Sequence, residues 1–164
     1  MSIAADQGAM RWDDLAWAHG YDPMKAYSSS KIAFGLFAME LQRRSDAAGW
    51  RLRSNLSHPG IVQTNLLAAQ PGMGRPKDTT VVKAIRWMSA RGLLVGTPSS
   101  AALPAVYAAT DPDARGGRLY GPRGFRHLGG LPAEQPLYTR LQSERDAVRV
   151  WDISEQLTGI RFRA

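Results

Sequence analysis

The longest apolar pattern in the chain predicts a helix from about Pro23 to Ala48. Pro23 suits the first turn of a helix, and Gly49 suits its end. Apolar side chains recur at helical spacing along one stripe, and further ones lie on other sides of the segment. The stripe holds Ile32, Ala33, Leu36, Phe37 and Leu41, and the other sides hold Phe34, Ala38 and Met39. A helix that is apolar on several sides is buried in a core or against a partner subunit.

The rest of the chain predicts shorter elements separated by turns. Residues 1–22 are expected to be irregular, and a loop rich in glycine and proline is expected over about 121–136. Two short strands are predicted, in the front part of WRLRSNLSHPG (50–60) and at RLYG (118–121), and further helices at 79–94, 99–110 and 138–157. Because each strand precedes a helical region, the pattern is typical of the end of a parallel α/β sheet whose first strands lie elsewhere.

Composition indicates a globular protein with one core and a basic surface. Of the 164 residues, 44% are hydrophobic, and the formal net charge is +7. The basic residues are scattered, whereas a nucleic-acid groove would show a denser run with interleaved aromatics. They therefore indicate a solvated surface, and no nucleic-acid partner is predicted. An anionic small ligand, such as a phosphorylated cofactor, also fits this charge.

The absence of cysteine excludes disulfides, thiol nucleophiles and cysteine-ligated zinc. The three histidines, His19, His58 and His127, are far apart in sequence, so no metal site is predicted. The opening residues lack a basic region followed by an apolar core, and no apolar run approaches the ~20 residues that span a bilayer. We therefore expect a cytoplasmic protein without a membrane span.

The stretch YSSSK, from Tyr27 to Lys31, carries the first candidate chemistry. On a helix these two side chains share a face, one turn apart. A positive charge beside a phenol favours the ionised phenolate, so the pair suits a general acid/base. The alternative interpretation is an ordinary pair on a helix surface. A second alternative is the Ser28-x-x-Lys31 pattern of serine acyl-enzymes, but the further motifs that those enzymes need do not occur here.

The order of motifs resembles a known family. Tyr27-x-x-x-Lys31 on a helix, followed after a short strand by His58-Pro59-Gly60 and then Thr64, resembles the short-chain dehydrogenase/reductase family. The segments YDPMKAYSSSKIAFGLFAMEL and NLSHPGIVQTNL resemble its retinol-dehydrogenase-like branch, and the likeness covers nearly the whole chain. It implies an α/β fold: the C-terminal, catalytic and substrate-binding portion of a Rossmann-type domain, forming one partial domain over residues 1–164.

The resemblance also implies catalytic roles. Tyr27 would donate a proton to the developing alkoxide, or accept it in the oxidation direction. Lys31 would favour the phenolate by its charge and hold the nicotinamide ribose hydroxyls. Ser2 lies 25 residues before Tyr27, a spacing that suits this branch, and is the candidate serine that orients the substrate carbonyl. The alternative for Ser2 is a disordered terminal residue.

The implied cofactor is a nicotinamide dinucleotide, NAD or NADP, with NADP slightly favoured. Pro59, Gly60 and Ile61 would line the nicotinamide, and Thr64 would reach its amide or the diphosphate. His58 is interpreted as a packed loop histidine. The substrate is expected to be a small apolar alcohol or carbonyl compound, because leucine, valine, methionine and tryptophan follow Thr64.

The glycine-rich turn that binds the dinucleotide in this family does not follow any predicted strand. Gly72-Met73-Gly74 is an isolated G-x-G between prolines and does not open a helix. The alternative function is therefore an inactive fragment or gene remnant that lacks the cofactor-binding half. Loss of the first strands would expose apolar surface, so the chain alone is expected to be poorly soluble or oligomeric. A homodimer through helix 23–48 is expected, because the family commonly pairs there.

Overall fold

In a computed structural model of the chain, residues 1–62, 77–91 and 95–162 are described. They form a helix-rich α/β fold with three strands in one mixed sheet of order β1-β2-β3. The elements are α1 (Ala4–Gln7), α2 (Pro23–Ala48), β1 (Leu56–Ser57), α3 (Thr80–Ala90), α4 (Pro98–Thr110), β2 (Leu119–Pro122), β3 (Pro132–Gln135) and α5 (Glu144–Thr158). The predicted fold class, a C-terminal portion of a Rossmann-type α/β fold, is confirmed.

Strands β1 and β2 pair in parallel. The Leu56 N–H donates to the Arg118 carbonyl, and two residues further on the His58 N–H donates to the Tyr120 carbonyl, so the ladder advances in one direction on both strands. Strand β3 is the edge strand beyond β2. The sequence did not predict it, because it begins at Pro132 within a segment rich in glycine and proline. Proline is tolerated as the first residue of an edge strand.

Some predicted elements differ from the structure by more than one residue. The first strand lies at Leu56–Ser57, behind the predicted front part of 50–60, because Arg51 adopts a left-handed φ of 57° that a strand does not accommodate. Residues 1–22 contain the short helix α1. The last helix begins at Glu144 because Ser143 caps it, accepting from the Asp146 N–H at 3.2 Å, and a 3₁₀ turn precedes it at Thr139–Leu141.

The chain divides into two compact units. The first comprises Met1–Leu56, Asp113–Leu119 and Pro136–Ala164, and the second comprises Ser57–Pro112 and Tyr120–Gln135.

Helix α2 organises the first unit. Asp22 caps its start by accepting from the Met24 and Lys25 N–H groups at 2.9 and 3.0 Å, and Gly49 ends it with a left-handed φ of 66°. The helix packs against α1 and α5. Its buried apolar face lies in a core formed by Ala5, Ile32, Leu36, Ala38, Leu56, Leu119, Leu141, Ala147 and Val150. Phe34 lies on the opposite side and is 58% exposed.

The second unit contains α3, α4 and β3. Thr79 caps α3 by accepting from the Val82 N–H, and Thr97 and Ser100 form a capping box at the start of α4. The Tyr107 ring of α4 lies 5.5 Å from the ring of Tyr120 on β2, centroid to centroid. Residues 58–62, which follow β1, belong to this same unit.

Candidate active site

The second and third turns of α2 bring Tyr27 and Lys31 together. The Lys31 ammonium nitrogen lies 5.2 Å from the centroid of the Tyr27 ring. Both side chains are half-buried, so each is held by the helix while part of it faces solvent. An ammonium within about 6 Å of an aromatic ring is attracted to its face. The pair therefore offers a phenol and a fixed positive charge at one accessible surface.

Two serines between Tyr27 and Lys31 lie where α2 packs against the segment that contains Gly8 and Met10. Ser28 and Ser29 are buried, at 8% and 5% exposure. The backbone at Gly8 approaches so closely that a Cβ there would lie 2.4 Å from the Ser28 Cβ. The Ser29 hydroxyl contacts the sulfur of Met10 at 3.6 Å. Small side chains are needed on this face because a neighbouring backbone crosses it.

Burial of Ser28 also bears on the serine acyl-enzyme alternative. A nucleophilic serine must reach its substrate, whereas Ser28 is enclosed against Gly8. The exposed serine of the stretch, Ser30, donates to the Tyr27 carbonyl at 2.7 Å, a bond within the helix. These contacts argue against Ser28 as a nucleophile.

Ser2 lies two residues before α1, in the same unit as Tyr27 and Lys31. Its hydroxyl accepts from the Ala4 N–H at 3.2 Å, and its carbonyl accepts from the Ala5 N–H at 3.1 Å. The residue is half-buried, and its place is fixed by these two bonds. Its role toward a substrate carbonyl stays a prediction.

Pro59, Gly60 and Ile61 lie in the second unit, and the predicted Thr64 lies outside the described residues. Gly60 has a φ of 74°, and a Cβ there would lie 2.4 Å from the Leu128 carbonyl oxygen. That oxygen accepts from the Ile61 N–H at 2.9 Å. Only glycine combines the left-handed backbone with so close a contact.

His58 is a packed histidine, as interpreted from the sequence. It is 1% exposed, and its Nε2 lies 2.8 Å from Oε1 of Gln135. Burial lowers the pKa of His58 below its ordinary value, and the hydrogen bond to Gln135 opposes this shift only in part. Sequence reasoning did not identify Gln135, because it lies 77 residues away and no local pattern links the two.

Two other properties bear on the kind of site. Within the described ranges, no three histidine, aspartate or glutamate side chains gather where they could hold a metal ion. None of the helices in those ranges is both long and apolar enough to cross a bilayer.

Comparison with known proteins identifies the relatives of the chain. No family model matches it. It is 34% identical over 152 residues to the polyprenol dehydrogenase of Mus musculus, an alignment that covers 93% of this chain and 41% of that protein. It is 32% identical over 160 residues to retinol dehydrogenase 13 of Homo sapiens, covering 97% of this chain and 44% of that protein.

The fold agrees with a solved structure. The crystal structure of an uncharacterized protein from Mycobacterium paratuberculosis superposes with a TM-score of 0.69 at 31% sequence identity, covering 99% of this chain and 50% of that chain. The chain is a relative of the retinol-dehydrogenase-like short-chain dehydrogenases/reductases. The predicted family is therefore confirmed. Short-chain dehydrogenases/reductases generally use NAD or NADP. This chain spans less than half the length of the curated relatives it matches, 41% of the first and second of them.

Proposed function

We propose that this chain carries the catalytic part of an oxidoreductase that exchanges hydride between NAD(P) and an alcohol/carbonyl pair. The observation that supports it best is the pairing of Tyr27 with Lys31 on α2, with the ammonium 5.2 Å from the ring centroid. A phenol held next to a fixed positive charge at an accessible surface has the geometry of a general acid/base. The dehydrogenases among its relatives add independent support.

In this proposal, three residues of the first unit have roles, two at the substrate oxygen and one at the cofactor. Tyr27 donates a proton to the oxygen that becomes a hydroxyl, and accepts it in the reverse direction. Lys31 places its positive charge beside the phenol and binds the ribose hydroxyls of the cofactor. Ser2 donates its hydroxyl proton to the substrate carbonyl and so orients it. The two half-buried side chains of α2 suit these tasks, because a proton donor must be both positioned and accessible.

The cofactor supplies or accepts the hydride. We assign Pro59, Gly60 and Ile61 to its nicotinamide and Thr64 to its amide or diphosphate, with NADP slightly preferred over NAD. The firmly held loop after β1, fixed through the Gly60 and Ile61 backbone, supports this assignment because a flat ring needs a wall of defined shape. Because relatives are named for retinol and polyprenol, we propose an apolar alcohol or aldehyde as substrate. A cytoplasmic location is part of the same proposal, and cell fractionation checks it.

Substitution of Tyr27 tests the assignment. In the form of the protein that turns over, Tyr27→Phe is expected to lower kcat by at least about 100-fold, the usual contribution of a general acid. The cofactor affinity should change little, because the ring and its contact with Lys31 remain. Tyr21→Phe is the matched control, since Tyr21 is 68% exposed just before α2. A Tyr27→Phe protein that keeps most of its activity contradicts the proposed role.

The second candidate function is a part that is inactive until a cofactor-binding half joins it. The sequence observation behind it is that no glycine-rich dinucleotide turn follows a predicted strand. Thermal-shift titrations with NADPH and NADH separate the two candidates. A shift for the 164-residue chain alone shows that this chain binds the cofactor by itself and contradicts the second candidate. A shift only after the cofactor-binding half of a relative is supplied supports the second candidate.

We further propose a homodimer through helix 23–48. Met24 and Phe34 on α2 are 68% and 58% exposed, and exposed apolar side chains of this size favour association. Light scattering of the wild type and of Phe34→Ser measures it. A monomeric wild type contradicts the dimer.

A further inference from the structure

The orientation of the Gln135 amide is fixed by a backbone carbonyl. The Gln135 Nε2 lies 2.8 Å from the Pro122 carbonyl oxygen. A carbonyl oxygen only accepts, so the amide N–H group of Gln135 must face it. The amide oxygen therefore faces His58, whose Nε2 lies 2.8 Å away.

This orientation determines the tautomer of His58. Because the Gln135 oxygen accepts, the His58 Nε2 must carry the proton. In the neutral ring, Nδ1 is then an acceptor. It lies 3.2 Å from the Gly60 N, whose N–H donates to it. Burial lowers the pKa of His58, so the neutral ring prevails near neutral pH.

The space for this pair depends on Gly121. A Cβ at that position would lie 2.2 Å from the His58 Nε2 and 2.6 Å from the Gln135 Nε2. The ring and the amide therefore lie directly against the backbone of β2. Together they form a continuous series of bonds, from the Pro122 carbonyl through Gln135 and His58 to the Gly60 amide.

The series of bonds ends at Gly60, within the segment Pro59–Ile61 that the proposed function assigns to the nicotinamide. Gly60 is held by His58 through its N–H. Ile61 is held on both sides, since its N–H donates to the Leu128 carbonyl and its carbonyl accepts from the Gly96 N–H, each at 2.9 Å. The His58 side chain contacts both Gln135 and the Gly60 N–H, so the pair can act on a cofactor through the backbone of this segment.

We propose that His58 and Gln135 are positioning residues that shape the nicotinamide-facing loop Pro59–Ile61 through the Gly60 amide. The proposal rests on the proposed function for its cofactor part. A loop that is held in its binding shape loses less entropy when a ligand arrives. The pair therefore acts on cofactor affinity and leaves the proton transfer at Tyr27 unchanged.

Two substitutions at His58 separate its bond to Gln135 from its bond to Gly60. Asparagine carries an oxygen on Cγ, as the ring carries Nδ1, and can still accept from the Gly60 N–H. Glutamine reaches one atom further and can still donate to the Gln135 oxygen, but it leaves the Gly60 N–H without its acceptor. Both variants lose the ring, so the damage to packing is comparable, and urea unfolding checks that they are equally folded.

We expect His58→Gln to raise the KM for NADPH or NADH by about tenfold and to leave kcat within about twofold, because a hydrogen bond left unmade costs about one decade in an equilibrium constant. His58→Asn should stay within about threefold of the wild type in both parameters. Equal effects of the two variants, or a loss confined to kcat, overturn the proposal.

Nuclear magnetic resonance of the chain tests the hydrogen-bond series without any activity. The ring nitrogen shifts of His58 should report the Nε2–H tautomer, and amide exchange at Gly60 should be about tenfold faster in His58→Gln than in His58→Asn. An Nδ1–H tautomer in the wild type refutes the series itself. If the series is confirmed but neither cofactor binds in any form of the protein, the proposed function fails and the cofactor role fails with it.

Discussion

Replacement of Gly121 by alanine tests how tightly the His58–Gln135 pair is packed. The new Cβ would lie 2.2 Å from the His58 Nε2 and 2.6 Å from the Gln135 Nε2. Both side chains are buried, at 1% and 7% exposure, so neither can swing into solvent. Both nitrogens would lie too close to the new Cβ, so both side chains must shift, and we expect the bond between them to break together with the bond from Gln135 to Pro122.

The expected cost follows from those two bonds. A buried polar group that loses its partner costs about 1–3 kcal/mol, so two lost bonds lower the free energy of unfolding by roughly 2–6 kcal/mol. Gly49→Ala is the matched control. Gly49 has a φ of 66°, and a Cβ added there would have no neighbouring atom within 4 Å, so alanine costs about 1–2 kcal/mol through backbone strain alone.

Urea unfolding followed by far-ultraviolet circular dichroism measures both variants. Gly121→Ala should be the more destabilising. Combined with Gln135→Ala it should cost less than the sum of the single changes, because both variants break the same bonds. A Gly121→Ala protein no less stable than Gly49→Ala, or strict additivity with Gln135→Ala, would refute the packing argument.

Two further predictions concern stability. Burial lowers the pKa of His58 in the folded chain. Below about pH 6.5 the unfolded chain therefore binds a proton at this residue that the folded chain does not bind, and the free energy of unfolding falls as the pH drops. Urea unfolding at a series of pH values should show this fall, and it should be smaller in His58→Asn. Asp22→Ala removes the acceptor for the Met24 and Lys25 N–H groups and should lower the free energy of unfolding by about 1 kcal/mol in the same assay. The control is Asp13→Ala, at an exposed position of the preceding loop, which should leave this free energy unchanged.

Features that depend on near neighbours in sequence could be predicted. The bounds of helix α2, Pro23–Ala48, agree with the prediction because a proline and a glycine mark its ends. Tyr27 and Lys31 lie together because residues four apart share a face of any helix. The order of these motifs also identified the family correctly, since both the relatives and the fold agree with it.

Features that depend on distant partners could not be predicted. Strand β3 is defined by its place beside β2 and begins with a proline, so its local pattern indicates a loop. The partner of His58 is 77 residues further along the chain. The position of β1 was misjudged for a similar reason, because its pairing with the backbone near Tyr120 defines it, and its own side chains do not.

The segment rich in glycine and proline over 121–136 contributes buried packing and hydrogen bonds, which its composition does not indicate. Its composition is typical of a connecting loop, and glycines in such loops usually permit turns. Here Gly121 is needed because two buried side chains lie against it, while Leu128 and Gln135 supply an acceptor carbonyl and an amide to the series around Gly60. Because Gly121 has no side chain, His58 and Gln135 can lie against its backbone and form their hydrogen bond. The loop after β1 thus makes backbone and side-chain bonds with this distant segment. If the proposed cofactor role of the loop is right, a change in the distant segment is expected to alter cofactor binding without touching any residue of the family motifs.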